Sequence, residues 1–263
     1  MDLLKTSGRL VVAVALAAFG FQYVLFALGR GGPVPGPPWY PSSAAVAWLV
    51  ALLFGAGAAA LAIPKNAARA ALAMGAYFLL HLVVVHGPKV ADRPTHAGLW
   101  TSAFEMVAMT GGLWVLAGTQ RSDGDTERAL ALASAIGRYA FALPLVAFGI
   151  LHAMYAAYVA TLVPAWIPGH LFWAYAVGVA FVLAGLAIAA NIQARLAATM
   201  LGLMFASWVV VLHLPRAIAA AGSGNEWTST FVALTMAGCS FAVAAASPKR
   251  HRDMALAAPS ATS

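Results

Sequence analysis

Charged residues, cysteine and catalytic motifs are all scarce in this chain of 263 residues. Asp, Glu, Lys and Arg make up only 9% of the sequence and hydrophobic residues 62%, whereas soluble globular chains average about 25% and about 45–50%. So few charges could not cover the surface of a soluble fold of this length. The composition therefore indicates a polytopic membrane protein, for which lipid is the main solvent.

Other absences narrow the chemistry. The single cysteine, Cys239, excludes an internal disulfide, a CxxC redox pair and a metal site built from cysteines. The sequence contains no P-loop, GxGxxG, GxSxG or HExxH motif, so nothing in it predicts a nucleotide-binding or hydrolytic site. The formal net charge is +7, but the basic residues are dispersed between apolar segments and form no stripe for nucleic acid. We predict no metal site and no nucleic-acid partner.

Eight stretches are long and apolar enough to cross a bilayer core of about 30 Å, which requires about 20 helical residues. Their Ala, Leu and Val content favours helix, and none alternates as a barrel strand would. The first apolar run is too long for the core of a signal peptide, so we expect a retained helix. The predicted spans are Leu10–Leu28, Ala44–Ile63, Ala70–Gly87, Leu99–Gly118, Tyr139–Val163, Leu171–Ile192, Leu196–Leu214 and Trp227–Ala246.

The basic residues of alternate loops predict the orientation, because cytoplasmic loops carry an excess of Lys and Arg. Eleven of them lie on the side that holds both termini and four lie on the opposite side, so both termini are predicted to be cytoplasmic. The eleven are Lys5, Arg9, Lys65, Arg69, Arg121, Arg128, Arg138, Arg195, Lys249, Arg250 and Arg252, and the four are Arg30, Lys89, Arg93 and Arg216.

The two halves of the chain resemble each other at an offset of 129 residues, which becomes 127 after a loop that is shorter in the second half. Each half has four spans, an even number, so both halves enter the membrane from the same side and the repeats are predicted to be parallel. We predict four-helix units at 1–120 and 138–246, a charged cytoplasmic linker at 121–137 and a disordered tail at 247–263. Agreements in register include Gly8 with Gly137, Trp39 with Trp166, Pro41 with Pro168, His86 with His213, and Trp100 with Trp227.

Short motifs built around Gly, Pro and Trp recur in both halves. The second half has Phe148-Gly149, the run Val163-Pro164-Ala165-Trp166-Ile167-Pro168-Gly169, Gly178, Gly185 and Arg195, and the first half has Phe19-Gly20, Pro38-Trp39-Tyr40-Pro41 and Gly57. These motifs resemble the DoxX family of small four-helix bacterial membrane proteins, and nearly the whole chain is similar to two fused DoxX-like units. DoxX relatives include the membrane subunit of a thiosulfate:quinone oxidoreductase and membrane partners of redox or detoxification enzymes. The resemblance therefore implies a bacterial inner-membrane protein attached to redox subunits.

Ionisable and phenolic side chains within the spans are the candidate site residues, because such groups are costly in lipid and face the bundle interior or a cavity. Counting about 1.5 Å per residue inward from the ends of the spans places four of them at one level of the bilayer. These four are Tyr23, His81, Glu105 and His152, while His86 and His213 lie one to two turns nearer the outer surface.

Three interpretations of this cluster stay open. It could only hold helices together, with Glu105 neutral or paired with His81 or His152, because an unpaired ionised carboxylate there would cost several kcal/mol. It could bind the carbonyl groups of a quinone. It could hold haem b between His81 and His152, although no α-helical span carries two histidines at ligand spacing: His81 and His86 are about 140° apart.

The repeated His-x-Pro-Lys/Arg motif at 86–89 and 213–216 has a simpler interpretation. Gly or Pro near a basic residue is typical of a helix end, and a long basic side chain can extend from there toward the lipid head groups. We predict that each motif ends its helix.

The expected function follows from the resemblance: an integral membrane subunit, accessory to or anchoring a quinone-linked redox complex rather than an enzyme alone. Quinone is the expected cofactor and other membrane or redox subunits are the expected partners. The alternatives are a small-molecule carrier that uses the outer polar cluster, and a structural membrane scaffold with no ligand.

Overall fold

The computed structural model describes residues 3–32, 43–120 and 125–248, which form helices and no strand. Eight helices are long and apolar enough to cross a membrane, as predicted. The repeat motif Pro38 to Pro41, the linker residues 121–124 and the tail from 249 onward lie outside the described residues. The helices are α1 (Leu3–Ala27), α2 (Ala44–Ala62), α3 (Ala67–Asp92), α4 (Ala97–Gly118), α5 (Asp125–Met154), α6 (Ala156–Leu162), α7 (His170–Ala189), α8 (Ala194–Ala219) and α9 (Gly224–Ala246).

Most of the predicted linker is helical. Helix α5 begins at Asp125 and runs through residue 137 without interruption, so the prediction of a linker at 121–137 is wrong for 125–137. The reason is local. The segment is rich in Ala and Leu, which are strong helix formers. Its acidic residues fall in the first turn, where negative charge interacts favourably with the positive end of the helix dipole.

Helix α5 also ends earlier than predicted. The span expected to reach Val163 stops at Met154, and the short helix α6 follows after Tyr155, which has non-helical angles (φ −117°, ψ 28°). Val163 is extended (φ −69°, ψ 130°), as expected for a residue that precedes a proline. The residues between the break and the second-half Trp-Ile-Pro motif therefore form a separate element at the edge of the bundle.

The His-x-Pro motifs do not end their helices, which corrects a second prediction. In α3 a π-helical turn spans Leu82–His86, and in α8 one spans Val209–His213. The amide of Gly87 donates to the carbonyl of Leu82, five residues earlier. A proline inside an α-helix lacks a donor, and its ring clashes with the carbonyl four residues before it. The wider π turn accommodates the proline, so α3 and α8 each continue for six residues past the histidine, as Gly87–Asp92 and Leu214–Ala219.

The same pairs of helices pack in each half. Helices α1 and α2 pack together as α5 and α7 do, and α3 packs on α4 as α8 does on α9. The halves are joined along two seams, α4 against α5 and α9 against α1, and α4 also contacts α9. Large side chains on these four helices are fully buried: Leu16, Met109, Leu145 and Met236 are at most 1% exposed. In each half, the two helices that lie away from the seams, α2 and α3 or α7 and α8, border a cavity of their own.

Candidate functional site

Each half contains a cavity that candidate site residues line. The first, of about 330 Å³, lies among α1–α4 and the start of α9, and the second, of about 260 Å³, lies among α4–α9. Both volumes are near the lower end of the range for small-molecule sites. The first cavity is lined by, among others, Phe19, Tyr23, Phe54, Tyr77, Phe78, His81, His86, Lys89, Ser102, Glu105, Asn225 and Thr228. The second is lined by, among others, Thr101, Glu105, Phe148, His152, Trp173, Phe181, Phe205, Trp208, His213 and Ser229.

The two cavities are built from equivalent positions. Three phenylalanines and one serine of the first cavity have a Phe or Ser counterpart in the second at the sequence offsets of the repeat, and His86 has His213. Several other lining positions differ in chemistry. The counterpart of Tyr23 is His152 and that of His81 is Trp208. The conserved aromatic pairs are Phe19 with Phe148, Phe54 with Phe181, and Phe78 with Phe205.

All six sequence candidates line these cavities. Tyr23, His81 and His86 lie in the first, and His152 and His213 lie in the second. The structure therefore divides the predicted single cluster into two.

Glu105 borders both cavities, together with Ser229 and Val232, so it stands in the wall between them. The pairing of Glu105 with His81 or His152, which was one alternative beside a neutral carboxyl group, is absent: within residues 3–32, 43–120 and 125–248, its carboxyl group makes no hydrogen bond or ion pair. The cause is its place on α4, with open cavity space on either side. Its counterpart at the equivalent position of α9 is Val232, so only one half supplies an acid to this wall.

The π turn brings two histidines of the first cavity into contact. The ring centroids of His81 and His86 are 5.4 Å apart, and the ring of Tyr77 lies 5.8 Å from that of His81. The angle of about 140° expected between the two histidines assumed α-helical geometry throughout. Because the intervening turn is π-helical, the two side chains lie on the same side of α3.

The hydrogen bonds of the histidines differ between the cavities. His86 is only 8% exposed, and its Nε2 has no hydrogen-bonding partner among the described residues. His152 places Nδ1 at 2.8 Å from the carbonyl oxygen of Phe148. A carbonyl only accepts, so Nδ1 carries the hydrogen and Nε2 is the nitrogen of His152 that is available to a ligand. An unpartnered buried nitrogen is costly, so a polar ligand group near His86 would offset that cost.

The geometry does not favour the haem interpretation. His81 and His152 line different cavities, and His81 and His86 come from one helix and contact each other, which leaves no space for a porphyrin between them. The described part of the chain contains no group of three or more His, Cys, Asp or Glu side chains that could hold a metal ion.

An ion pair that the sequence analysis missed joins the C-terminal end of α8 to the first turn of α9. Arg216 donates to both carboxylate oxygens of Glu226, at 2.8 and 3.1 Å. The motif predicted that Arg216 extends toward the lipid head groups. Arg216 instead binds a carboxylate of the protein. The signal in the sequence was a basic and an acidic residue ten positions apart, one on each side of the turn between α8 and α9.

A second missed residue, Gln22, joins the first and last helices. It is 7% exposed, and its Nε2 donates to the carbonyl of Gly224 at 2.7 Å and to the hydroxyl of Thr228 at 2.9 Å. Thr228 lines the first cavity, so this hydrogen-bonded group fixes the α1–α9 seam beside it. A lone glutamine within the first apolar span was the signal in the sequence.

Comparisons of the chain with protein-family models, with curated proteins and with solved structures give no match.

Proposed function

We propose that this chain is a DoxX-like integral membrane subunit of a quinone-linked redox complex, and that a quinone head group docks in the second cavity. One observation carries the proposal: each half holds a cavity of small-molecule size at equivalent positions, with histidine, hydroxyl and aromatic side chains in its wall. The motif resemblance to DoxX proteins supplies the redox context.

The lining of the second cavity fits a quinone. Trp173, Phe181 and Trp208 offer apolar and aromatic surface, while His213 and the hydroxyl of Ser229 offer polar groups. Quinone carbonyl oxygens accept hydrogen bonds, and hydroxyl and imidazole N–H groups donate them. A bound quinone would carry two electrons and two protons. The side chains of this chain bind and orient the ring.

His152 and Glu105 would provide the proton contacts. The ring of His152 packs 5.2 Å from that of Phe181, and its Nδ1–H is held by the backbone, which leaves Nε2 to accept a hydrogen bond from a quinol hydroxyl. Glu105 lies in the wall shared with the first cavity, with no protein partner among the described residues to compete for its carboxyl group. These two residues can thus hold or accept a proton at the ligand.

We further propose that the halves are parallel repeats related by an axis along the membrane normal, with both termini cytoplasmic in a bacterial inner membrane. The matching helix pairs and the matching π turns support this arrangement. A superposition of residues 1–120 on 138–246 in an experimental structure tests it. Halves that superpose only after inversion would contradict it.

Quinone binding tests the proposed function directly. A short-chain ubiquinone analogue should bind the purified protein in nanodiscs, and His152→Phe should weaken binding by about tenfold, because the ring shape is kept but the acceptor is lost. His96, exposed and outside both cavities, is the control: His96→Phe should bind as wild type does. Equal affinity of all three proteins would contradict the second cavity as the quinone site.

Copurification from native membranes in mild detergent tests the redox context. The subunit should retain cofactor-bearing proteins, and the complex should lose quinone-dependent turnover with His152→Phe. Movement of a solute into vesicles by the purified chain alone would instead support the carrier alternative. Neither partners, turnover nor transport would support a scaffold.

A further inference from the structure

Lys89 and Arg216 occupy equivalent positions but have different neighbours. Each is the third residue of the helical segment that follows a π turn, Gly87–Asp92 or Leu214–Ala219. Ten residues further along, each half places a residue in the first turn of its last helix. In the second half that residue is Glu226, which binds Arg216 through two hydrogen bonds, and in the first half it is Leu99.

Lys89 consequently has no counter-ion among the described residues. It is half-buried and lines the first cavity, and no hydrogen bond or ion pair joins it to another residue in the described ranges. The nearest acidic residue along the chain, Asp92, has a side chain that is 78% exposed and lies 3.6 Å from Arg93. A cation held at an apolar surface without a partner is costly in a membrane protein, so an anion at this place would be stabilised.

Glu105 does not neutralise Lys89, although both line the first cavity. It lies six residues below Leu99 on α4, which is about 9 Å along the helix axis, and it makes no ion pair with Lys89. The first cavity is therefore cationic at its Lys89 end. The wall of the same cavity also includes the aromatic rings of Phe19, Phe54 and Phe78.

The unpartnered His86 nitrogen is a second, independent sign of a ligand. His86 precedes Lys89 by three residues and lines the same cavity, and its Nε2 is buried without a partner among the described residues. An imidazole nitrogen can donate to an oxyanion, and charge-assisted hydrogen bonds of this kind are about twice as strong as neutral ones. The hydroxyl of Ser102 and the amide of Asn225 add neutral donors to the same lining.

We propose that the first cavity binds an anionic amphiphile. Its carboxylate or phosphate head group is held by Lys89 and His86, and its apolar part lies against Phe19, Phe54 and Phe78. The second cavity does not take this ligand, because Arg216 is not among its lining residues and is already bound to the Glu226 carboxylate. The inference is independent of the quinone proposed for the second cavity.

Binding of radiolabelled dodecanoate to the purified full chain, in nanodiscs of neutral phosphatidylcholine, tests the proposal. Wild type should bind dodecanoate at least about tenfold more tightly than the uncharged dodecanol. Lys89→Met should abolish this preference, and Lys89→Arg should keep it. The proposal would be overturned by equal binding of acid and alcohol to wild type, or by a preference that survives Lys89→Met.

Leu99 supplies a matched pair of variants that leave Lys89 in place. Leu99→Glu copies the second half and should pair with Lys89, which weakens dodecanoate binding by about tenfold. Leu99→Gln introduces similar size and polarity without charge and should bind nearly as wild type does. Equal effects of the two variants would contradict a charge-based site.

Two further arms define the ligand. Acetate and inorganic phosphate should not displace dodecanoate, because they lack the apolar part. Displacement by either one, at the concentration at which unlabelled dodecanoate competes, would contradict the proposal that the ligand is an amphiphile. Nanodiscs that contain acidic phospholipid distinguish the sources of the head group. Loss of dodecanoate binding in them assigns the site to a lipid, and unchanged binding assigns it to a free acid. His152→Phe should leave all of these results unchanged, so the outcome is separable from that of the quinone test.

Discussion

Gly111 and Gly137 cross so closely that a methyl group on either one would lie about 2.5 Å from the carbonyl oxygen of the other (2.5 Å for Gly111, 2.6 Å for Gly137). The same relationship recurs at the second seam, where a methyl group on Gly8 or Gly238 would lie 2.9 Å from the other's carbonyl oxygen. In lipid, helix association depends on close backbone approach at small residues. Both seams between the halves are thus set by a pair of glycines.

Gly111→Ala should destabilise the protein, because the added methyl group meets backbone that cannot move aside without separating α4 from α5. We expect a loss of about 1–3 kcal/mol, measured as a lower melting temperature of the purified protein in detergent. Gly55→Ala is the control, since a methyl group there meets nothing within 4 Å. It should be neutral or stabilise the helix by up to about 1 kcal/mol. If both variants melt at one temperature, the glycine crossing does not limit packing.

Gln22→Leu should destabilise the α1–α9 seam. The substitution removes the donor to the Gly224 carbonyl and the partner of the Thr228 hydroxyl, and leaving buried polar groups unpaired costs about 1–3 kcal/mol. Leucine is the residue at the equivalent position of the second half, Leu151. The reverse change, Leu151→Gln, removes no hydrogen bond and serves as the comparison variant. Thermal unfolding of the two variants separates them, and an unaltered Gln22→Leu protein would show that the seam does not depend on this group.

Glu105→Gln should leave the fold intact, because glutamine keeps the shape and hydrogen-bonding capacity of a protonated carboxyl group and no protein partner is lost. If Glu105 serves a quinone, the assembled complex should lose quinone-dependent activity at unchanged melting temperature. Both quantities need to be measured on the same preparation. Wild-type activity in Glu105→Gln would remove this residue from the site.

The orientation can be tested by cysteine labelling. Cys239 is fully buried, so the natural chain should give little background with a membrane-impermeant maleimide. Thr95→Cys, in the turn between α3 and α4, should be labelled from outside intact cells, and Ser247→Cys, after the end of α9, only after the membrane is opened. Labelling of both positions from the same side would be incompatible with eight spans.

The sequence was sufficient to predict the number of spans, because a helix that crosses a membrane requires a long apolar run. It was less reliable at their ends. The linker prediction at 121–137 treated charged residues as loop, yet Ala and Leu between them extend α5 back to Asp125. Charge near a helix end does not interrupt backbone hydrogen bonding, so composition alone places such a boundary poorly.

The site could be predicted in part. Depth along each span selected residues that do line cavities, but depth cannot tell which side of a helix a residue faces. The contact between His81 and His86 depends on a π turn that the α-helical angle did not allow for. The partition of the cluster into two cavities, and the pairing of Arg216 with Glu226, depend on packing between halves that are distant in the sequence.

Glu105 has one carboxyl group and a cavity on each side of it. When protonated, this group has a single O–H to donate, so a hydrogen bond donated to an occupant of one cavity is not available to the other, and the affinities of the two proposed ligands would be thermodynamically linked across a single helix. Such linkage is reciprocal: an amphiphile that changes quinone affinity must itself be bound more or less tightly, by the same factor, when quinone is present.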